Sequence, residues 1–391
     1  MHVKTGLEVL RQLGYKPLHG LKVGLLTNPS AVDQQLESAY SILCSEPNVK
    51  VTALFSPEHG LGGVAAAGEH VQSGIDPVTG LPIHSLYGNT LKPTAEMLKG
   101  IDVIVCDVQD VGARYFTYVW TISYILEAAG EHDVTVVLLD RPNPLGGKTI
   151  EGPCIEPDFL SFVGRCPVPV RHGLTLGELT WMINETWNPS LARLSIISCE
   201  NYEREMTWAQ TRLPWVAPSP NLPTLESVLH YPGACLIEGT NLSEGRGTAL
   251  PFQIVGASWV DAPRLVKHLN TQAWAAEYGV RFRPHSFRPT ISKHAGEACQ
   301  GVQVHLENVE RWRPIEVYLH LIQAIRQQHP DQFQWLPPYS EGDHPHFDKL
   351  TGTDSIRQAI DAGQSIETIA AGWKGDIDEF ATARQPFLLY E

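Results

Sequence analysis

The stretch VKVTALFSPEHG, residues 49–60, is an apolar, β-branched run that stops at Glu58 and His59 and passes into a glycine-rich turn, GLGG at 60–63. Three further segments follow the same plan: LKVGLLTNPS at 21–30, IDVIVCDVQD at 101–110 and VTVVLLDRPNP at 134–144. Each is apolar almost throughout, as a strand covered on both faces must be, and each turns polar at its end. Helix-like patterns lie between them, at 36–44, at 92–99 and in YFTYVWTISYILEAAGEH at 115–132. Strand and helix alternating in this way predict an α/β fold with a Rossmann-like, doubly wound, mostly parallel sheet. In such sheets ligands gather beyond the carboxyl ends of the strands, so the four polar tips are expected to converge on one cleft.

Residues 151–225 carry more proline and short polar turns, a helix beginning near Thr175 and a strand-like RLSIISCE at 193–200. They read as a continuation of the same domain. Beyond residue 226 the pattern changes to strand-like ACLIEG (234–239), VRFRPHSF (280–287) and GVQVHLEN (301–308), then to helical runs at 314–328, 354–363 and 365–373. The expected division is a Rossmann-like catalytic domain over 1–225 and a smaller α+β domain over 226–391 that completes the cleft.

A chain of 391 residues with 43% hydrophobic content can build a core for each part. With 29 Lys plus Arg against 43 Asp plus Glu, its net charge of −14 disfavours nucleic acid and anionic membrane surfaces as partners. No stretch approaches the roughly 18 apolar residues of a membrane span. The seven cysteines contain no CxxC pair, so neither a disulfide framework nor a structural zinc site is suggested. The opening MHVKTGLEVLRQLGY reads as an amphipathic helix and not as an export signal, which for a complete chain makes a cytoplasmic location the expectation.

Glu58 puts a carboxylate at a strand tip where glycines let a ligand approach the backbone, and a cleft can raise the pKa of an acid. Its structural alternative is a turn cap or an arginine partner. His59 reads as an orienting or binding group. The GLGGVA run also matches G-x-G-x-x-A and so admits a dinucleotide-binding reading. Against it, SPEH separates the strand from the first glycine and a carboxylate would face a pyrophosphate.

The other tips offer polar side chains. Asn28 stands at the first, and Asp107, Gln109, Asp110, Arg114, Tyr115 and Tyr118 crowd the third. They read either as sugar-binding groups or as a helix cap, an ion pair and core aromatics. Asn143 follows the fourth strand in a proline-stiffened turn. Further on come Arg171, His172, Asn221, Glu244 and Arg246, the last between two glycines and suited to an anion. Thr175 and Glu178 have capping-box spacing, which makes Glu178 a helix cap. Asp343, His344, His346 and Asp348 lie close together but match no metal signature, and HExxH, GxSxG and Walker motifs do not occur.

SPEHG (56–60), DVQDVGARYFTY (107–118), DRPNPLGG (140–147), RHGLTLGEL (171–179), SPNLP (219–223), EGTNLSEGRGT (238–248) and FDKLTGTDSIRQAI (347–360) together resemble the exo-β-N-acetylmuramidase family typified by NamZ, formerly a domain of unknown function. The match spans nearly the whole chain, with long motifs in the expected order. The resemblance implies a cleft between the two domains and release of N-acetylmuramic acid from non-reducing ends of peptidoglycan fragments, with no metal or nucleotide cofactor. MurNAc-GlcNAc saccharides, N-acetylmuramic acid joined to N-acetylglucosamine, would be the substrate. The glutamate of the family's PEHG motif falls on Glu58, the expected general acid. Many relatives are exported.

Glycoside cleavage also needs a second group. Asp107, Asp110 or Glu244 could act as base or nucleophile, or the substrate's acetamido group could attack. A cation for the lactyl carboxylate could be Arg114, Arg171 or Arg246. A noncatalytic wall-fragment binding protein is the main alternative, and a dinucleotide-dependent enzyme a more distant one.

Overall fold

A computed structural model describes residues 2–391. Twelve strands occur among them: β1 Lys22–Thr27, β2 Lys50–Ser56, β3 Gly74–Ile75, β4 Pro82–Ser85, β5 Val103–Asp107, β6 Thr135–Leu139, β7 Glu151–Cys154, β8 Pro169–Arg171, β9 Arg193–Ile197, β10 Ile254–Ala257, β11 Val280–Phe287 and β12 Cys299–Leu306. Seven form the main sheet in the order β3-β4-β2-β1-β5-β6-β9. All its pairings are parallel except β3 with β4. The central order is the doubly wound one with its reversal between β1 and β5, as the alternation of patterns predicts.

The uniformly apolar strands are explained by burial on both faces. Leu25 of β1 sits opposite Leu54 of β2 and Val105 of β5. Val103, Val105, Val137 and Leu139 point to one face, where they meet Leu7 and Leu10 of the helix Gly6–Gln12 and Ile42 and Leu43 of the helix Ala39–Ser45. Ile104, Cys106, Val136 and Leu138 point to the other, against Ile122 and Leu126 of the helix Tyr118–His132 and Leu179 and Ile183 of the helix Leu176–Thr186. Thr175 caps the last of these in a reciprocal capping box with Glu178.

The second of these cores runs without a break into the carboxyl-terminal part. It takes in Val302 and Val304 of the antiparallel sheet β10-β12-β11 and Tyr318 and Ile322 of the helix Pro314–Gln328. One expected strand is absent: ACLIEG is the end of the helix Leu225–Ala234 and a 3-10 turn, Cys235–Gly239. Cys235, Leu236 and Ile237 are buried there, and a short apolar run serves a buried helical turn as well as a strand. The short strands β3, β4, β7, β8 and β10 carry no readable alternation. The first four are two to four residues long and include Gly74, Pro82, Gly152, Pro153 and Pro169.

Candidate active site

Beyond the tip of β2 lies a cavity of about 760 Å³, within the range of small-ligand sites. Its wall is assembled from distant parts of the chain, with Glu58, Thr117 and Asn221 from the first 225 residues and Tyr231, Arg246 and Lys293 from the rest. Tyr115, Phe116, Tyr231 and Phe252 pave it. Tyr231 stands edge-on to Tyr115 at 5.5 Å and to Phe252 at 5.0 Å between ring centroids. A floor of interlocked rings is rigid and apolar, suited to the underside of a sugar.

Glu58 is fixed at this wall by the turn that follows β2. His59 adopts the left-handed backbone region (φ 71°), a conformation uncommon outside glycine, and Gly60 continues it (φ 77°). His59 Nδ1 is 2.8 Å from the Ala65 carbonyl, which ties the loop back on itself. Burial lowers the His59 pKa against the opposing pull of Glu58. Glu58 Oε1 accepts a hydrogen bond from the Gly68 N–H at 2.9 Å, and Oε2 accepts one from the Thr117 hydroxyl at 2.6 Å. Burial and the facing Glu58 carboxylate push the Tyr87 hydroxyl well above its usual range.

Thr117 occupies the N-cap position of the helix Tyr118–His132, yet its side chain makes no cap bond. Its hydroxyl is spent on Glu58 instead and fixes the direction in which that carboxyl group faces the cavity. Thr117→Val is therefore expected to lose about 10- to 100-fold in activity, because a carboxyl group free to turn away from the departing oxygen is no longer positioned to protonate it. Thermal unfolding should move little, because no helix cap is removed. Steady-state rates and melting curves of the Val and Ser variants check this, with Ser restoring activity.

A second polar group lines the cavity on loops of the carboxyl-terminal part. Arg246 donates through Nε and Nη2 to Glu238 Oε1 at 3.2 and 2.6 Å, and its Nε lies 3.3 Å from Glu244 Oε1. Lys293 Nζ comes within 3.0 Å of Glu244 Oε2, in ion-pair contact without the angle of a hydrogen bond. His346 Nε2 is 3.7 Å from Glu238 Oε2. Burial opposes charge on Glu238, but the Arg246 guanidinium prevails and holds its pKa well below the usual carboxylate range. Arg246 Nη1 has no hydrogen-bond partner. Asn221 also lines the cavity, and its side-chain amide makes no hydrogen bond among the described residues.

The remaining expected site residues are not brought to this cavity as open groups. Asp107 is fully buried and clasped by Arg141, with Nε at 2.5 Å and Nη2 at 3.0 Å, so it is a strand-end ion pair and not a base. Asp110 binds the Gly112 N–H at 2.7 Å, and burial raises its pKa to about 7; it does not line the cavity. Gln109 donates to the Asp110 and Pro142 carbonyls, Asn143 to the Leu174 carbonyl, and Asn28 to the Tyr118 hydroxyl. Tyr118 donates in turn to the Pro218 carbonyl, and Tyr115, though its ring lines the cavity, donates to the Pro232 carbonyl.

Arg114 is fully buried and spends its guanidinium on the carbonyls of Pro153, Val168 and Leu350. Arg171 donates to the Leu145 carbonyl at 2.5 Å and pairs with Glu151 at 3.9 Å. His172, its pKa pushed down to about 3 by burial, accepts from the Leu174 N–H. The convergence of strand tips is thus real for β1, β5 and β6, but there most of the polar groups bond one another or the backbone, with Thr27 Oγ1 and Asp110 Oδ1 left without a partner. The space left among Ser30, Gln109 and Arg141 is about 10 Å³, room for about one water. The β2 tip opens into a cavity of substrate size.

The metal-like residues also disperse: Asp343 pairs with Lys349, Asp348 with Arg357 and His346 with Glu238. After Gly60 and Gly63 the chain makes turns and starts no helix, so the amino-terminal dipole that a dinucleotide phosphate needs is missing there.

Two family models cover the chain: the exo-β-N-acetylmuramidase NamZ amino-terminal model over residues 23–226 and the corresponding carboxyl-terminal model over 229–390. The chain belongs to the NamZ exo-β-N-acetylmuramidase family. It is 44% identical over 388 residues to the peptidoglycan β-N-acetylmuramidase NamZ of Bacillus subtilis (strain 168), covering 99% of this chain and 91% of that protein. Two crystal structures of DUF1343 family proteins from Bacteroides fragilis share the NamZ-family fold. One is 37% identical with a TM-score of 0.91, the other 32% identical with a TM-score of 0.78, and each match covers 100% of this chain and 99% of the other.

Thr117, Tyr87, Lys293 and Tyr339 were not singled out from the sequence. The one available signal was a threonine placed at a helix start directly beside a polar strand tip.

Proposed function

We propose that this protein is a glycoside hydrolase that removes N-acetylmuramic acid from non-reducing ends of peptidoglycan fragments, with MurNAc-GlcNAc saccharides as substrate and Glu58 as general acid. The observation that carries this reading is a single carboxylate held by the Thr117 hydroxyl and the Gly68 amide at the wall of a ring-floored cavity, in a member of the NamZ family.

Cleavage needs a proton on the departing oxygen and negative charge near the anomeric carbon as it becomes oxocarbenium-like. Glu58 supplies the first. Of the three carboxylates weighed for the second role, Glu244 alone lines the cavity, and it takes that role here. Arg246, with Nη1 unused by Glu238 and Glu244, is assigned to the lactyl carboxylate, and the Asn221 amide to the acetamido group. The parts before and after residue 225 close the site between them, which suits an enzyme that takes one terminal sugar.

Incubation with purified MurNAc-β-1,4-GlcNAc and mass analysis of the products tests the reading. Equimolar free N-acetylmuramic acid and N-acetylglucosamine are expected. A disaccharide that binds and is recovered intact would move the protein to the binding-protein reading.

A further inference from the structure

The cavity has an inside and an outside, and Glu58 stands at their border. Phe252, Leu222 and Thr117 at its floor are buried, whereas Ala66, Ala67 and Gly68 at its rim are exposed. Glu58 takes one hydrogen bond from each level, from Thr117 below and from Gly68 above. An acid so placed protonates an oxygen that leaves toward the rim. The departing sugar then sits among rim residues.

One rim residue is unusual in the whole molecule. Tyr339 is 74% exposed, and among the described residues it is the one phenylalanine, tyrosine or tryptophan that is mostly exposed. Tyr339 lines the cavity, and a tyrosine ring at the mouth of a ligand site offers a rigid apolar face with a polar tip to what enters it. The ring is not loose: Pro337 and Pro338 fix the backbone before it, and it stands 5.4 Å from the His346 ring at 61°. His346 in turn pairs with Glu238, which holds Arg246. The rim ring is thereby tied to the group assigned to the muramic acid, in register with the inner site.

Resting on the function proposed above, we infer that Tyr339 is the platform for the sugar on the leaving-group side of the scissile bond, against whose apolar C–H face the ring stacks. It makes the enzyme prefer a saccharide aglycone over a small one, because binding energy from a part of the substrate that does not react is available to the reaction.

The test compares MurNAc-GlcNAc with methyl β-N-acetylmuramide, whose aglycone cannot reach the rim. In Tyr339→Ala, kcat/KM on the disaccharide is expected to fall by about tenfold, mainly through KM, and on the methyl glycoside by less than about threefold. Tyr339→Phe should keep the disaccharide preference, since the ring and not the hydroxyl does the stacking. Equal losses on both substrates, or none on the disaccharide, would overturn the assignment. An unmodified protein that releases no N-acetylmuramic acid from either substrate would remove the proposed function itself, and the platform with it.

Discussion

Replacing Glu58 with glutamine is expected to lower kcat/KM on MurNAc-GlcNAc by about 10²- to 10⁴-fold, the usual worth of a positioned acid. The fold should survive. A glutamine oxygen can still accept from the Gly68 N–H, and the Thr117 hydroxyl can rotate to accept from the amide nitrogen, so both bonds to the side chain remain. The variant should melt close to the native temperature and still bind the disaccharide. A folded, fully active Glu58→Gln protein would remove Glu58 from the mechanism, whatever else the cavity does.

The other large effect belongs to Arg246. Substitution by methionine keeps much of the side chain's length but leaves the buried Glu244 with Lys293 as its remaining cation and the partly exposed Glu238 with His346. Removing one partner of a buried pair strands a charge, and with Lys293 and His346 still in place the expected loss is about 1–3 kcal/mol. The sign with pH follows from Glu238, whose pKa in the folded protein is held below its ordinary 4.5. That depression contributes stability in full above pH 4.5 and loses it as pH falls through the folded-state value. In the variant Glu238 keeps only His346 to favour its charged form. The gap between native and Arg246→Met should therefore be widest above pH 4.5 and narrow progressively below it, as denaturant unfolding at pH 7 and pH 3 will show. A gap that is absent at pH 7, or that widens in acid, would mean the cluster does not depend on Arg246.

What could be read from the chain, and what could not, divides along a physical line. Strands such as LKVGLLT and IDVIVCD are legible because burial on both faces demands an unbroken apolar run. Glu58 is legible because a carboxylate followed by glycines interrupts such a run at its end. The run ACLIEG is ambiguous because its six residues are too few to show a period, and the structure makes it helical. At the tips of β1, β5 and β6 the sequence shows polar residues but not their partners. Asp107 looks like a catalytic acid until Arg141, 34 residues later, is seen to close on it. Arg114 looks like an anion binder until three carbonyls claim it.

The converse holds for the groups that escaped notice. Thr117 meets Glu58 across 59 residues, and Lys293 meets Glu244 from a separate loop. Tyr339 is an ordinary loop tyrosine until its exposure and its place on the rim are known. A pattern within one segment reports burial and backbone shape. A site built from loops that fold back over long distances is written in contacts, and those come only with the coordinates.

The most direct test of Glu58 as the proton donor is a leaving-group series: aryl β-N-acetylmuramides of graded phenol acidity, assayed with the native protein and with Glu58→Gln. Acidic phenols depart without a proton, so the variant should approach native rates on them and fall steadily further behind as the phenol becomes less acidic. A deficit of equal size across the whole series would contradict proton donation by Glu58.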